Sequence, residues 1–410
     1  MNSGKQLSIK RNMFWNSAGS LVNLGCQWVI TVLVVRLASN YEAAGIYSLA
    51  MSIFNMFSQL AQYRMYTVQI SDVHHDNSVG EYFTFRIITV SLSFSILCIY
   101  VFSTCRLDAI PSILIYAVYK SASLVIDVLH ANDQVAHRMD YIGKSLILQG
   151  LCVLGSFVLV FGLFKSLEGA LICMTASTVL VGVLYDAPRS NGLSVIKIGI
   201  SRHKASCLFR GCLPIVLGGV AASAAPNIPR QYLSFIMGDS ALGVYASVAA
   251  PVAIIQMGAT YIYNPLLSYL AENYFKKDKR SFFTIVLKII SGIVALGLFC
   301  SIGLYFAGEQ ILVFIFGSSI AEYVYLLQPL LFCAFLTGLT WFVNDLLISL
   351  RNYRAVFLGS MLCFAGSILA MMPCQAYFDL NGATVTCIIS SAFCLAYQSV
   401  TLFRQARKWF

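Results

Sequence analysis

Charged residues are scarce in this chain. Only 11% of its 410 residues are Asp, Glu, Lys or Arg, and the 17 acidic residues are outnumbered by 27 basic ones. Hydrophobic residues make up 59% of the chain and the mean hydropathy is +0.77. A soluble globular surface needs far more charge than this composition supplies. The scarcity excludes a soluble protein and indicates an integral membrane protein.

Polar stretches long enough for a separate soluble domain are also missing. Apolar runs recur along the whole chain, and at about 20 residues per bilayer crossing its length accommodates about twelve helical spans. The sequence therefore predicts an all-α polytopic membrane protein and argues against an enzyme with its own catalytic domain. Glycine-rich phosphate loops, nucleophile elbows and catalytic carboxylate pairs are absent, so no catalytic residues are predicted.

The residue types that bind metals or form disulfides show no ligand pattern. Most of the 13 cysteines lie within apolar runs, where a thiol behaves as a small apolar side chain. His74 and His75 share a loop with two aspartates but lack the spacing of a metal site. Basic residues recur between the apolar runs rather than in one patch, which argues against a nucleic-acid partner. We expect no metal, no cofactor and no nucleic acid.

Charged and turn-rich breaks between the apolar runs predict twelve spans. Their bounds, in chain order, are 13–36, 43–69, 82–104, 109–131, 141–164, 168–186, 209–237, 241–271, 282–307, 324–349, 355–374 and 380–403.

The basic residues predict the orientation of these spans. With the N-terminus in the cytoplasm, about 22 Lys and Arg residues, Arg86 among them, fall in loops and span flanks on that side. About four fall on the far side, namely Arg36, Arg106, Lys165 and Arg230. This bias predicts that both termini and the 187–208 loop are cytoplasmic.

The two halves of the chain repeat each other weakly. Ala43–Tyr47 matches Ala241–Tyr245, and Leu167–Ala170 matches Leu380–Ala383. The matches keep their order, and the offset grows only from 198 residues at the first to 213 at the last. Six spans are followed by six in the same orientation. We therefore predict two six-helix lobes, 1–200 and 201–410, related by a pseudo-two-fold axis along the membrane normal.

Polar residues form stripes on spans 1, 2, 7 and 8. Steps of three and four residues keep each stripe on one helix face. Such residues either hydrogen-bond between packed helices or line a wetted cavity, and their occurrence on equivalent spans of both halves favours the cavity. The candidate substrate contacts from these stripes are Asn23, Gln27, Asn55, Gln59, Asn227 and Gln256.

Charged residues within spans are the strongest candidates for the functional site, because a Lys or Arg at mid-bilayer costs about 2.5–3.5 kcal/mol. Arg230 lies on the polar face of span 7, after Pro226 and Pro229, which we expect to kink or open the helix. Lys120 and Asp127 lie on one face of span 4, two turns apart. Mutual neutralisation through a neighbouring helix is the alternative to a functional role. Asp127 is the candidate for a coupling ion.

The whole chain resembles a known family. The residues that carry the resemblance are Asn16–Gly19, Ala43–Ser48, Arg138–Tyr141, Ile228–Leu233 and Gly243–Tyr245. Their pattern and order are similar to those of the oligosaccharide-lipid flippases of the multidrug/oligosaccharidyl-lipid/polysaccharide (MOP) exporter superfamily, which translocate O-antigen and capsule repeat units.

The resemblance implies a function. Spans 1, 2, 7 and 8 would line a cavity between the lobes that opens alternately to either side of a bacterial plasma (inner) membrane. The substrate would be an undecaprenyl diphosphate-linked oligosaccharide, moved from the cytoplasmic to the outer leaflet for surface polysaccharide synthesis. Arg230 and Lys120 would bind its diphosphate. The partners would be this lipid-linked substrate, membrane lipid and H⁺ or Na⁺ as a coupling ion.

Two other functions fit parts of the sequence. A drug or organic-cation antiporter of the same superfamily would place uncompensated carboxylates in the cavity, whereas the charges within these spans lean cationic. A membrane-embedded glycosyltransferase or polysaccharide polymerase would share the lipid-linked substrate. It would also need a large extramembrane loop, and no predicted loop is that long.

Overall fold

The structure is a computed structural model that describes residues 8–38, 40–72 and 76–409; His74 and His75 lie outside these ranges. The described residues form helices and no β-strand. Ten segments are long and apolar enough to cross a membrane. The predicted all-α polytopic fold is confirmed.

The chain divides into two compact units, Met1–Val216 (unit 1) and Leu217–Phe410 (unit 2). The helices that begin in unit 1 are α1 (Ile9–Leu37), α2 (Glu42–Gln62), α3 (Met65–Ser71), α4 (Val79–Thr104), α5 (Ile110–Val135), α6 (Met139–Phe164), α7 (Leu167–Val181), α8 (Ala187–Leu193) and α9 (Arg202–Met237). Unit 2 continues with α10 (Asp239–Tyr263), α11 (Leu267–Phe275), α12 (Lys279–Phe316), α13 (Leu327–Ser349), α14 (Tyr353–Phe378) and α15 (Gly382–Trp409). A π-helical turn, Gly182–Asp186, joins α7 to α8.

Helices α1 and α6 cross where both carry glycine. A Cβ on Gly19 would lie 2.5 Å from Cα of Gly143, and one on Gly143 would lie 2.2 Å from the carbonyl oxygen of Trp15. Only glycine permits so close an approach, and membrane helices associate through such small residues. The amide of Asn12 fastens the same pair, because its Oδ1 accepts from the backbone N–H of Met139 at 3.0 Å. The crossing fixes the polar face of α1 against α6.

The second predicted span, 43–69, is interrupted in the structure. Tyr63 and Arg64 have φ values of 46° and 58°, in the left-handed region, so α2 ends at Gln62 and α3 starts anew at Met65. Tyr63 is fully buried, and its hydroxyl donates to the carbonyl of Phe209 at 2.9 Å. Such a backbone is costly for residues with a Cβ and persists where the surroundings hold it.

Of the two predicted effects of the prolines in span 7, a kink or an opening, the opening is wrong, because α9 is helical from Arg202 to Met237. Pro229 has no N–H to donate to the carbonyl four residues earlier, that of Ala225. The hydroxyl of Ser367 on α14 donates to this carbonyl instead, at 2.6 Å. A side chain from a neighbouring helix thus replaces the missing backbone donor.

Candidate functional site

Unit 1 encloses a cavity of about 310 Å³ among α1, α5, α6 and α7, with Gln62 at the end of α2. Most of the residues that line it are polar. These polar lining residues are Asn23, Gln27, Gln62, Tyr119, Lys120, Ser123, Asp127, His130, Gln149 and Thr178. Four of the predicted site residues, Asn23, Gln27, Lys120 and Asp127, therefore meet in one cavity.

Helix α5 supplies the charged wall of this cavity. Lys120, Ser123, Asp127 and His130 follow one another at steps of three and four residues, so they share one helix face. Pro111 in the first turn suits the helix start, where backbone N–H groups have no intrahelical partner. The sequence pattern of α5 thus directs its ionisable groups into the cavity.

Lys120 is held by neutral groups. Its Nζ donates to Oε1 of Gln27 at 3.0 Å and lies 5.0 Å from the ring centroid of Tyr119 and 5.8 Å from that of Tyr116. Within the described residues no carboxylate oxygen lies within 4.0 Å of this ammonium. An ammonium has three N–H donors, and Gln27 uses one. The charge is stabilised by oriented dipoles and ring faces, and it is not neutralised.

A chain of amides fixes the orientation of Gln27. Its Nε2 donates to Oδ1 of Asn23, and Nδ2 of Asn23 donates to the carbonyl of Leu146 on α6 at 3.1 Å. The nitrogen of Gln27 is directed to Asn23 and that of Asn23 to α6, so the oxygen of Gln27 is left facing Lys120. The polar stripe of α1 therefore prepares an acceptor for the lysine on α5.

Asp127 pairs with an arginine and not with Lys120. Its Oδ2 lies 3.6 Å from Nη2 of Arg86 on α4, whose side chain is 0% exposed against 35% for that of Asp127. Mutual neutralisation of Lys120 and Asp127 is therefore wrong. Arg86, which the charge pattern assigns to a span flank, is fully buried against this carboxylate and is the charge that neutralises it.

Two lining residues, His130 and Gln149, belong to a buried network that the sequence pattern did not indicate. His130 Nε2 lies 3.3 Å from Oδ1 of Asp186, and Ser145 donates to Oδ2 of Asp186 at 2.8 Å. Gln149 in turn donates to the hydroxyl of Ser145 at 2.9 Å. Asp186 closes the π-helical turn, so α5, α6 and this turn are tied together. Hydropathy places Asp186 at a span end and gives no sign that it points inwards.

The predicted residues of span 7 and span 8 lie in unit 2, with different partners. Nε of Arg230 is buried without a hydrogen-bond partner, and its guanidinium interacts electrostatically with Tyr245. Asn227 donates to the carbonyl of Ser223 in its own helix at 2.7 Å. Gln256 donates to the hydroxyl of Thr337 on α13 at 2.6 Å. These three residues do not line the cavity of unit 1.

Asn55 and Gln59 on α2 do not line that cavity either. Asn55 is exposed and Gln59 is half-buried. Only Gln62, at the end of the same stripe, reaches the cavity.

The described cavity lining carries one ammonium and one carboxylate, and the carboxylate is already paired with Arg86. Lys120, Asp127 and Arg86 together therefore carry a net positive charge. A buried cation with free N–H donors binds phosphate or carboxylate oxygens. The arrangement is suited to holding an anionic group, and its lining has no nucleophile activated by a base.

No protein-family description matches this sequence. The chain is 22% identical over 388 residues to the capsular polysaccharide biosynthesis protein CapF of Staphylococcus aureus, in a match that covers 93% of this chain and 96% of that protein. Among solved structures, the lipid II flippase MurJ in an inward closed conformation has a TM-score of 0.73 at 10% identity, covering 95% of this chain and 87% of that one. A mutant of the Vibrio cholerae MATE transporter VcmN has a TM-score of 0.66 at 10% identity, covering 97% and 96%.

The structural matches cover nearly the whole chain, so the similarity concerns the complete arrangement of helices and not a single segment. They confirm the family resemblance of the sequence at the level of the fold. The protein is an all-helical, multi-pass membrane protein with the fold of the MATE transporters and of the lipid II flippase.

Proposed function

We propose that this protein is a flippase that moves an undecaprenyl diphosphate-linked oligosaccharide from the cytoplasmic to the outer leaflet of a bacterial plasma membrane, for surface polysaccharide synthesis. The six-helix lobes, 1–200 and 201–410, would alternate the access of the substrate to the two leaflets. Support comes from the capsule biosynthesis relative, which matches over almost its whole length, and from the fold shared with the lipid II flippase MurJ.

The observation that carries the proposal is the uncompensated ammonium of Lys120 in a polar cavity. The prenyl tail of the substrate can remain in the lipid, so the protein has to accommodate only the sugars and the diphosphate. A cation about 4 Å from a phosphate oxygen contributes on the order of 4 kcal/mol at an effective dielectric near 20. That is enough to select the headgroup without trapping it.

Sugar hydroxyls need both donors and acceptors. The cavity offers the amides of Asn23, Gln27 and Gln149 for this purpose. In unit 2, Arg230, Asn227 and Gln256 are proposed as further contacts, as are Asn55 and Gln59 on α2. Arg230 is half-buried, and the feature that supports its role is its buried Nε without a hydrogen-bond partner, because an unmet buried N–H donor of a cation favours an anionic ligand.

The cation-antiporter alternative requires a carboxylate free to bind a cation. Asp127 is the only carboxylate in the described lining of the unit 1 cavity, and Arg86 already neutralises it. The same pairing makes Asp127 a weaker candidate for a coupling ion than the sequence indicates. The cavity therefore favours the flippase over the antiporter.

The test uses cells whose surface polysaccharide depends on this protein. Lys120→Met should abolish the surface polysaccharide, and Lys120→Arg should retain part of it because the charge is kept. Lys288→Met, on an exposed part of α12, is the matched control and should leave export unchanged. Normal export by Lys120→Met, at a membrane level equal to that of the parent, would contradict the proposal.

A further inference from the structure

Arg86 is a fully buried basic residue on α4, within the packing of unit 1. Its side chain is 0% exposed, and it makes one hydrogen bond, from Nη1 to the carbonyl of Ala61 at 3.3 Å. Nε and Nη2 have no hydrogen-bond partner, and Nη2 lies 3.6 Å from the Asp127 carboxylate. A guanidinium taken out of water at this cost needs a counter-charge, and Asp127 supplies it.

Only one member of the Arg86–Asp127 pair faces the cavity. Asp127 lines the cavity with a 35% exposed side chain, while Arg86 lies behind it on α4. The other ionisable groups that face the cavity are Lys120, about 10 Å away along α5, and His130, whose Nε2 lies 3.3 Å from Asp186. The charge that a ligand meets in this cavity is thus set by whether Arg86 compensates Asp127.

We propose that Arg86 determines the charge preference of the unit 1 cavity. By neutralising Asp127 from behind, it leaves the Lys120 ammonium as the net charge, so the cavity takes phosphate-bearing anions and rejects organic cations. Without Arg86 the Asp127 carboxylate would oppose an anion bound at Lys120 and attract a cation. The natural identity of the anion rests on the proposed function, whereas the charge preference itself can be measured with simple probes.

The distance between Asp127 and Lys120 gives the expected size of the change in anion binding when Arg86 is removed. A full negative charge at about 10 Å from the anion, at an effective dielectric near 20, weakens anion binding about tenfold. If Arg86 had a purely structural role and only held the end of α2 through Ala61, Arg86→Gln would instead lower thermal stability and weaken anion binding without any gain of cation binding.

The experiment measures two probes on purified full-length protein in a non-ionic detergent: inorganic pyrophosphate as the anion and tetraphenylphosphonium as the cation. The variants are Arg86→Gln, Arg86→Lys and the double variant Arg86→Gln/Asp127→Asn. Arg106→Gln is the matched control, because Arg106 forms an exposed pair with Asp108 at 3.4 Å.

We expect the parent to bind pyrophosphate and not the phosphonium. Arg86→Gln should bind pyrophosphate about tenfold more weakly and gain phosphonium binding. The double variant should lose the phosphonium and regain pyrophosphate, since it removes both charges, and Arg86→Lys should resemble the parent. Parent-like binding of both probes by Arg86→Gln, or a double variant that binds the phosphonium as well as the single one does, would overturn the proposal.

Two further outcomes separate this proposal from the flippase proposal. If Lys120→Met binds pyrophosphate like the parent while Arg86→Gln binds it weakly, the role of Lys120 fails and that of Arg86 stands. If the parent binds no pyrophosphate but Arg86→Gln gains the phosphonium and the double variant loses it, charge selection stands and the anionic substrate is contradicted.

Should Arg86→Gln not fold, the double variant carries the test, and its failure to bind pyrophosphate would count against the proposal.

Discussion

Lys120 on α5 and Gln27 on α1, 93 positions apart in the chain, are joined by a hydrogen bond of 3.0 Å within the cavity of unit 1. The partner is an amide and not a carboxylate, so no acidic group neutralises the lysine. The amide is itself oriented by Asn23 and the backbone of α6. The contact therefore stabilises a charge that remains available to a ligand.

The first prediction replaces this amide by an acid. Gln27→Glu should form an ion pair with Lys120, leave the protein folded and reduce surface polysaccharide strongly, because the ammonium is then neutralised. Export per membrane-inserted protein is the measurement. Gln310→Glu on an exposed part of α12 is the control. Full export by Gln27→Glu would mean that the charge of Lys120 is not used.

The second prediction concerns the stability of α9. Ser367 is fully buried and donates to the carbonyl of Ala225 that Pro229 leaves free. Ser367→Ala should lower the free energy of unfolding by about 1–3 kcal/mol, the cost of an unsatisfied buried carbonyl. Thermal unfolding in detergent measures this. Ser291→Ala, whose hydroxyl is exposed on α12, should change little, and equal effects of the two substitutions would refute the explanation.

The third prediction tests the proposed contact between Arg230 and the diphosphate of the substrate. Arg230→Ala should abolish surface polysaccharide at unchanged protein abundance, and Arg230→Lys should recover only part, since a point charge replaces a bidentate fork. Arg210→Ala, exposed on the same helix, is the comparison. If Arg230→Ala exports like the parent, the cationic site is confined to unit 1.

The fourth prediction tests the topology. Cys207 is exposed near the start of α9, within the segment 187–208 that the distribution of basic residues predicts to be cytoplasmic. With every other cysteine replaced, Cys207 should resist a membrane-impermeant maleimide in spheroplasts and react after permeabilisation. A cysteine at the exposed position of Leu107, in a predicted outer loop, should react in both. Labelling of Cys207 from outside would invert the assigned orientation.

The sequence predicts which helix faces are polar more readily than which residues meet. The stripe of α1 and the charged face of α5 follow from helical periodicity, and both line one cavity. Arg86 could not be placed in this way, because an apolar run with a charge near its end is compatible with a snorkelling side chain and with a buried one. Packing of α2 against α4 decides between these, and it depends on contacts far apart in the chain.

The sequence also does not predict where the helices break. Nothing in the residues of 43–69 marks the left-handed pair Tyr63 and Arg64, since neither is glycine. Conversely, two prolines favour a broken helix at span 7, but the hydroxyl of Ser367 donates to the carbonyl that Pro229 leaves without a backbone donor, and the helix continues. In both cases a residue from another helix determines the backbone, so local propensity gives the wrong boundary.

The flippase account is tested most directly by following a lipid-linked oligosaccharide across the bilayer of proteoliposomes that contain the purified protein. Parent protein and Lys288→Met should move the oligosaccharide between leaflets at equal rates, and Lys120→Arg should retain part of that rate. Lys120→Met should be at least about tenfold slower at equal reconstitution, because its cavity no longer has a net positive charge for the diphosphate. Movement by Lys120→Met at the parent rate, or no movement by the parent itself, would contradict the account.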